Sequence, residues 1–249
     1  MNFSSSKEKL IFYYFPVFLF SLIPFFLITG PLLSDLSISL ISILFLSYCV
    51  LKKNFSFFKK KYFYFFLIFW IYLLINSLIN NFNLDSIKIS FFYFRYGVFV
   101  IAIATLLNFD DKFIKYFFYC TFVCFVSLIF DGFYQYFFGK NILGFETPDS
   151  FRVSSFFQDE QILGSYLSRL WPIFFGLSII LFSKSKKIFF NLILIFILSE
   201  TLIFLSGDRS AFFYINFSAF FVILFSLKLL KLRLITLLCS FALIVFITF

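Results

Sequence analysis

A chain of 249 residues that is 62% hydrophobic and only 13% charged carries too little polar surface to cover a water-soluble domain. Its net charge of +9 invites a nucleic-acid partner, but the placement of the cations, set out below, accounts for that charge without one. With zero His and four scattered Cys, a metal site is not expected, and neither is a cofactor.

Apolar runs near twenty residues recur from end to end, and in a bilayer each must be helical, because only a helix satisfies its own backbone. The runs are continuous rather than alternating, which excludes a lipid-facing barrel. The expected fold class is therefore an all-α, polytopic membrane helix bundle. Nine spans are predicted, at 10–29, 31–51, 62–80, 89–107, 113–138, 161–183, 188–205, 209–227 and 234–249. The first holds Pro16 and Pro24 and ends at Thr29–Gly30–Pro31 without a small-x-small cleavage pattern, so it reads as a retained span. The 50 Phe read as lipid-facing bulk from an AT-rich coding genome, with no aromatic cofactor box. Cys49, Cys120, Cys124 and Cys239 all fall in apolar runs and read as buried free thiols.

The connectors alternate in charge. Lys7 and Lys9, then Lys52, Lys53, Lys59, Lys60 and Lys61, then Lys112 and Lys115, then Lys184, Lys186 and Lys187, then Lys228, Lys231 and Arg233 place 15 cations on one side. The other side holds Lys88, Lys140, Arg152 and Arg209. The positive-inside rule then puts the N-terminus in the cytoplasm, with odd spans running outward and even spans inward. Asp85, Glu146, Asp149, Asp159, Glu160 and Asp208 all fall on the outer side. One transmembrane domain, 1–249, is expected. Its last run, Leu234 to Phe249, is apolar to the final residue, which suggests a chain truncated on the C-terminal side.

Ionisable side chains inside spans are costly and usually face a bundle interior or a polar cavity. Arg95, Arg169, Asp131, Glu200 and Asp35 all fall in the outer half of their spans. Helical spacing aligns Cys120, Cys124, Ser127, Asp131 and Gln135 on one face of span 5. It aligns Gln161, Ser165, Ser168 and Arg169 on span 6, where Gly164 permits close approach and Pro172 a kink, and Arg209 with Asn216 on span 8. Arg169 and its Ser and Gln neighbours are expected to turn inward. The plain structural reading, an ion pair of Arg95 or Arg169 with Asp131 or Glu200 that locks helices, weighs about evenly by residue type.

Two features favour a site. The outer cations Arg95, Arg152, Arg169 and Arg209 are arginine, whose planar fork suits phosphate oxygens. Spans 6 and 8 both begin at the outer face and aim positive helix ends the same way. These four arginines are the candidate ligands of a lipid diphosphate. Ser206 and Asp208 are candidate caps of the helix that Arg209 opens. No phosphate loop, Ser/His/Asp set or paired catalytic carboxylates occur, and Asp159–Glu160 read as first-turn acids.

The run Phe151–Arg152–Val153–Ser154–Ser155–Phe156–Phe157–Gln158–Asp159–Glu160–Gln161–Ile162–Leu163–Gly164–Ser165–Tyr166–Leu167 resembles the arginine-led loop of the bacterial O-antigen ligase and O-antigen polymerase superfamily. There the loop often reads Arg-x-x-Gly-x-Phe, then Asn-Pro-Asn. Here Ser155 stands where Gly is common, and Asp159–Glu160–Gln161 replaces Asn-Pro-Asn. Leu205–Ser206–Gly207–Asp208–Arg209–Ser210–Ala211 resembles the second signature, a Ser/Thr–Arg–Gly/Ala turn opening the next outer-face helix, and Thr29–Gly30–Pro31 also fits. The resemblance covers about the N-terminal two-thirds of such proteins; the large periplasmic loop that carries a functional His in the ligases would lie beyond Phe249.

The resemblance implies a multi-pass protein of the bacterial inner membrane that transfers a glycan from undecaprenyl diphosphate to lipid A–core or another acceptor, without metal. Arg209 matches the second signature and Arg152 the first, whereas Arg95 and Arg169 rest on the charge argument alone. An acceptor-activating base is required, and Asp131 and Glu200 are the weak candidates. The implied partners are the lipid-linked oligosaccharide, its lipid or glycan acceptor and membrane lipids. A polymerase of the same superfamily and a transporter or flippase of lipid-linked glycan are the alternatives, with a purely structural membrane subunit as a third.

Overall fold

The computed structural model describes residues 3–80, 84–147, 152–182, 186–225 and 230–248. The connectors with Lys184 and Lys228 lie outside the described residues, as do the side chains of Lys186, Lys187, Lys231 and Arg233. Among the described residues the chain is all-α, with nine long helices and no strand. They are α1 Ser6–Thr29, α2 Pro31–Leu51, α3 Lys61–Asn80, α4 Leu84–Phe109, α5 Asp111–Phe138, α6 Leu163–Phe182, α7 Lys186–Leu205, α8 Arg209–Phe225 and α9 Leu230–Thr248. Six of them, α1 to α6, are long and apolar enough to cross a membrane. Each helix falls on one of the predicted apolar runs.

Local chemistry sets the ends and breaks. Gly30, at φ +124°, makes the reversal between α1 and α2, and Pro31 opens α2, where its missing N–H costs nothing. α4 is broken at Tyr93 without any proline or glycine. There the Trp70 indole donates to the Ser90 carbonyl at 3.0 Å, taking an acceptor that an unbroken helix would use itself.

The chain divides into two compact units, residues 1–117 and 118–249. The first packs α1, α2, α3 and α4 around Leu19, Ile41, Phe45, Cys49, Phe63, Val98, Ile101 and Ala102. Its lysine-bearing end is tied by Lys52 to Glu8, 2.9 Å apart. On α3, Phe65, Ile68 and Ile79 are 74%, 67% and 75% exposed, a surface that water would not tolerate and lipid would. The second unit is built on aromatic contacts, with Phe118 and Phe125 of α5 against Phe174 of α6, and Trp171 stacked on Phe175 at 4.8 Å. All four cysteines are free thiols; Cys49 and Cys124 are buried, Cys120 partly so, and Cys239 is exposed rather than buried.

Gly97 lets α4 approach α3, because a Cβ there would run into the Phe66 ring. Gly97→Val should cost about 1–3 kcal/mol through overpacking. It should therefore lower the unfolding temperature in detergent by several degrees.

Candidate functional site

In the second unit, the C-terminal end of α5, the loop after it, the start of α6 and the turn between α7 and α8 meet at one place. Two polar side chains that share a face of α5 hold this junction together. Gln135, fully buried, accepts from two consecutive backbone N–H groups, those of Ser154 (3.0 Å) and Ser155 (2.6 Å). Its amide nitrogen donates to the carbonyls of Phe145 and Glu146, each at 3.4 Å. One turn earlier the buried Asp131 carboxylate accepts from the Ile142 N–H (2.9 Å) and from the Ser155 hydroxyl (2.6 Å). Asn141 completes the frame by donating to Ser155 O (3.1 Å) and accepting from Phe145 N–H (2.8 Å).

These bonds answer a physical demand. Backbone N–H and C=O groups packed against an apolar bundle must find partners, and the loop's own backbone bonds, such as Asn141 N–H to Phe145 O, satisfy only some of them. Ser155 also holds a left-handed φ of +54°, a conformation that usually takes glycine. It is held there through its N–H, its carbonyl and its hydroxyl at once. Ser155 thus occupies a backbone conformation for which glycine is suited.

The frame carries Arg152. Val153 N–H donates to Leu205 O at 3.2 Å, joining the loop to the end of α7. The Arg152 side chain then lies across Gly207, so close that a Cβ there would sit 2.9 Å from Arg152 Nε. Gly207 has φ +69°, a second reason for glycine at that turn. Arg152 Nη1 donates to Gln161 Oε1. Residues 148–151, including Asp149, lie outside the described residues.

The turn that Arg152 covers opens α8. Asp208 caps the helix, its Oδ1 accepting from Ala211 N–H (3.1 Å) and Ser210 Oγ (2.6 Å). Its Oδ2 accepts from Ser165 of α6 at 2.6 Å, which clasps the two helices. Gly164 makes the clasp possible, since a Cβ there would strike Ser206 Oγ. Partial burial pushes the Asp208 carboxyl up, but the hydrogen bonds from Ser165, Ser210 and Ala211 outweigh it and hold the group below the usual range. On the exposed rim, Lys140 pairs with Glu146 at 2.9 Å and lowers the Glu146 carboxyl. Beside Arg152 lies a cleft of about 700 Å³ whose wall includes Gln135, Phe137, Thr147, Phe204 and Ile247.

The remaining candidates are placed differently. Arg209 is exposed at the first position of α8, two residues after Gly207. Arg169 does not turn inward; it is exposed on α6. It follows Ser168 by about 100° around the helix, and the buried face is set by Leu163, Gly164, Leu167, Ser168, Trp171 and Phe174. Asp131 is committed to the loop. Glu200 is buried in another cavity, of about 350 Å³, where it accepts from Ser240 Oγ at 2.9 Å and has Asn216 nearby on the lining. Arg95, in the first unit, pairs with Asp35 at 2.8 Å. The carboxylate opposite Arg95 is thus Asp35, and neither Asp131 nor Glu200 pairs with it.

Asn141 was not singled out in the sequence, and nothing in its short connector marks it. Gln135 was legible as the last member of the α5 stripe, though not as the keystone of the loop. Comparison with protein families, with curated proteins and with solved structures finds no match to this chain.

Gln135→Leu should leave two backbone N–H groups unsatisfied, at about 1–3 kcal/mol each. Amide exchange within 139–147 and 152–157 should accelerate strongly while exchange in α6 changes little. Because the folded Asp208 carboxyl lies below its unfolded value of about 3.9, its stabilisation is present above that pH and is lost as pH falls through the folded value. The unfolding temperature of the wild type should therefore drop below about pH 4, and Asp208→Asn should flatten part of that drop.

Proposed function

We propose that the chain is the membrane part of a glycosyltransferase of the O-antigen ligase type. It moves a glycan from undecaprenyl diphosphate to lipid A–core or another acceptor at the periplasmic face of the bacterial inner membrane. In this reading all nine helices cross the bilayer, the N-terminus is cytoplasmic, and the Arg152 loop faces the periplasm.

One observation carries the reading. Arg152 is laid across Gly207, two residues before Arg209, beside a cleft with an apolar wall. Two loops that are far apart in sequence thereby each bring an arginine to one turn. The acceptor hydroxyl oxygen attacks the anomeric carbon, and the bond from that carbon to the diphosphate oxygen breaks. The hydroxyl proton passes to a base, and the lipid diphosphate leaves with the electron pair. Fixed cations stabilise the charge that grows on it.

Within this reading the clamp is Arg152 and Arg209. The charge of Arg95 is already matched by Asp35, and Arg169 stands on the exposed flank of α6. Asp131 and Glu200 are engaged elsewhere, so neither is assigned as the base. A polymerase of the same superfamily would use the same donor end with a lipid-linked repeat as acceptor.

Binding of undecaprenyl diphosphate to the chain in nanodiscs tests the reading. Arg152→Ala and Arg209→Ala should each weaken it about tenfold to a hundredfold, as for hydrogen bonds to a charged group. Arg169→Ala should leave it unchanged. Full retention by both Arg152→Ala and Arg209→Ala would rule out the clamp.

A further inference from the structure

The first unit contains a separate cavity of about 540 Å³ between α2, α3 and the break in α4. Its wall is hydrocarbon, including Ile43, Leu46, Trp70, Phe92 and Val98. The polar groups that line it are turned to protein partners. Ser42 Oγ donates to Ile38 O (2.8 Å) and approaches Arg95 O (2.9 Å), and the Trp70 indole is used on Ser90 O. The body of the cavity therefore offers contacts only to a hydrocarbon chain.

One end is different. Arg95 Nη2 donates to Asp35 Oδ2 (2.8 Å) and to Tyr96 Oη (3.2 Å), and Nη1 donates to Ser39 Oγ (3.1 Å). Arg95 has five N–H donors, of which these bonds use three, and its Nε has no hydrogen-bond partner. Asp35 Oδ1 also accepts from Tyr96 Oη (3.2 Å), so each carboxylate oxygen has one protein partner; the side chain is 48% exposed, and each oxygen keeps a second lone pair towards the outside. A cation and an anion thus stand side by side with unused hydrogen-bonding capacity.

The dimensions fit one leaflet. From Asp35 to Leu46 along α2 is eleven residues, or about 16 Å. Half of a hydrocarbon core is about 15 Å. The ion pair lies near the start of α2, away from the end that carries Lys52 and Lys53.

We propose that this groove binds a phospholipid with a primary ammonium head, one acyl chain lying along Ser39, Ile43 and Leu46. The lipid phosphate takes the remaining Nη1 N–H of Arg95, whose Nε is buried, and the ammonium takes the exposed side of the Asp35 carboxylate. Charge complementarity selects that head, because the phosphate of a purely anionic lipid would meet Asp35 with no compensating cation of its own. The site is independent of the diphosphate clamp and involves neither Arg152 nor Arg209.

Native mass spectrometry of the full chain, offered equal amounts of phosphatidylethanolamine and phosphatidylglycerol, tests it. The wild type should retain phosphatidylethanolamine at least fivefold over phosphatidylglycerol, an order-of-magnitude expectation of about 1 kcal/mol. Ile43→Trp, at an exposed lining position, should fill the groove and lower bound phosphatidylethanolamine about tenfold. Asp35→Asn should leave a lipid bound but reverse the preference towards phosphatidylglycerol. Equal retention of both lipids by the wild type, or an unchanged preference in Asp35→Asn, overturns the proposal. Should Ile43→Trp fail to fold, the headgroup ratio in Asp35→Asn decides alone.

Discussion

Beneath the loop that follows α5, the Gln135 amide receives two consecutive backbone N–H groups and gives its own hydrogens to carbonyls on the loop's other limb. Asp131, one turn earlier, takes a third N–H and the Ser155 hydroxyl. A membrane bundle can admit irregular backbone only where such partners exist, so the loop keeps its shape because these two side chains are buried under it. Everything else at that end is referred to this frame: the left-handed Ser155, the pairing of Val153 with Leu205, and the position of Arg152 on Gly207.

The arginines show how one residue type takes different roles according to what surrounds it. Arg95 stands opposite a carboxylate and its charge is matched locally. Arg152 is pinned by a side-chain amide and a glycine surface at a turn. Arg209 opens a helix that Asp208 caps, and neither it nor Arg169 carries an ion pair among the described residues. A guanidinium locked to a carboxylate, as Arg95 is, is first of all a helix fastener.

The carboxylates divide in the same manner. Asp131, on the α5 stripe and a weak candidate base by sequence, has its oxygens occupied by the loop it supports. Asp208, weighed only as a cap, also ties α8 to Ser165 on α6. Residue type and spacing mark Asp131 as a member of a polar helix face and Asp208 as a cap. They do not reveal which backbone groups will be brought within reach from other parts of the chain.

The sequence by itself determined the helices. Long apolar runs bounded by Lys clusters, Gly30–Pro31 and the Ser206–Asp208 turn leave the backbone one way to satisfy its hydrogen bonds, and the nine helices fall on those runs. It also identified Gly164 as a point of close approach, from its missing side chain, and Gln135 as part of a polar stripe, from helical period. Only the tertiary structure decided that Arg169 is exposed and that Arg95 pairs with Asp35. It alone laid Arg152 on Gly207 and placed Asn141 beneath the loop. These outcomes depend on the rotation of one helix against another and on contacts between distant segments, quantities that local period and composition leave free.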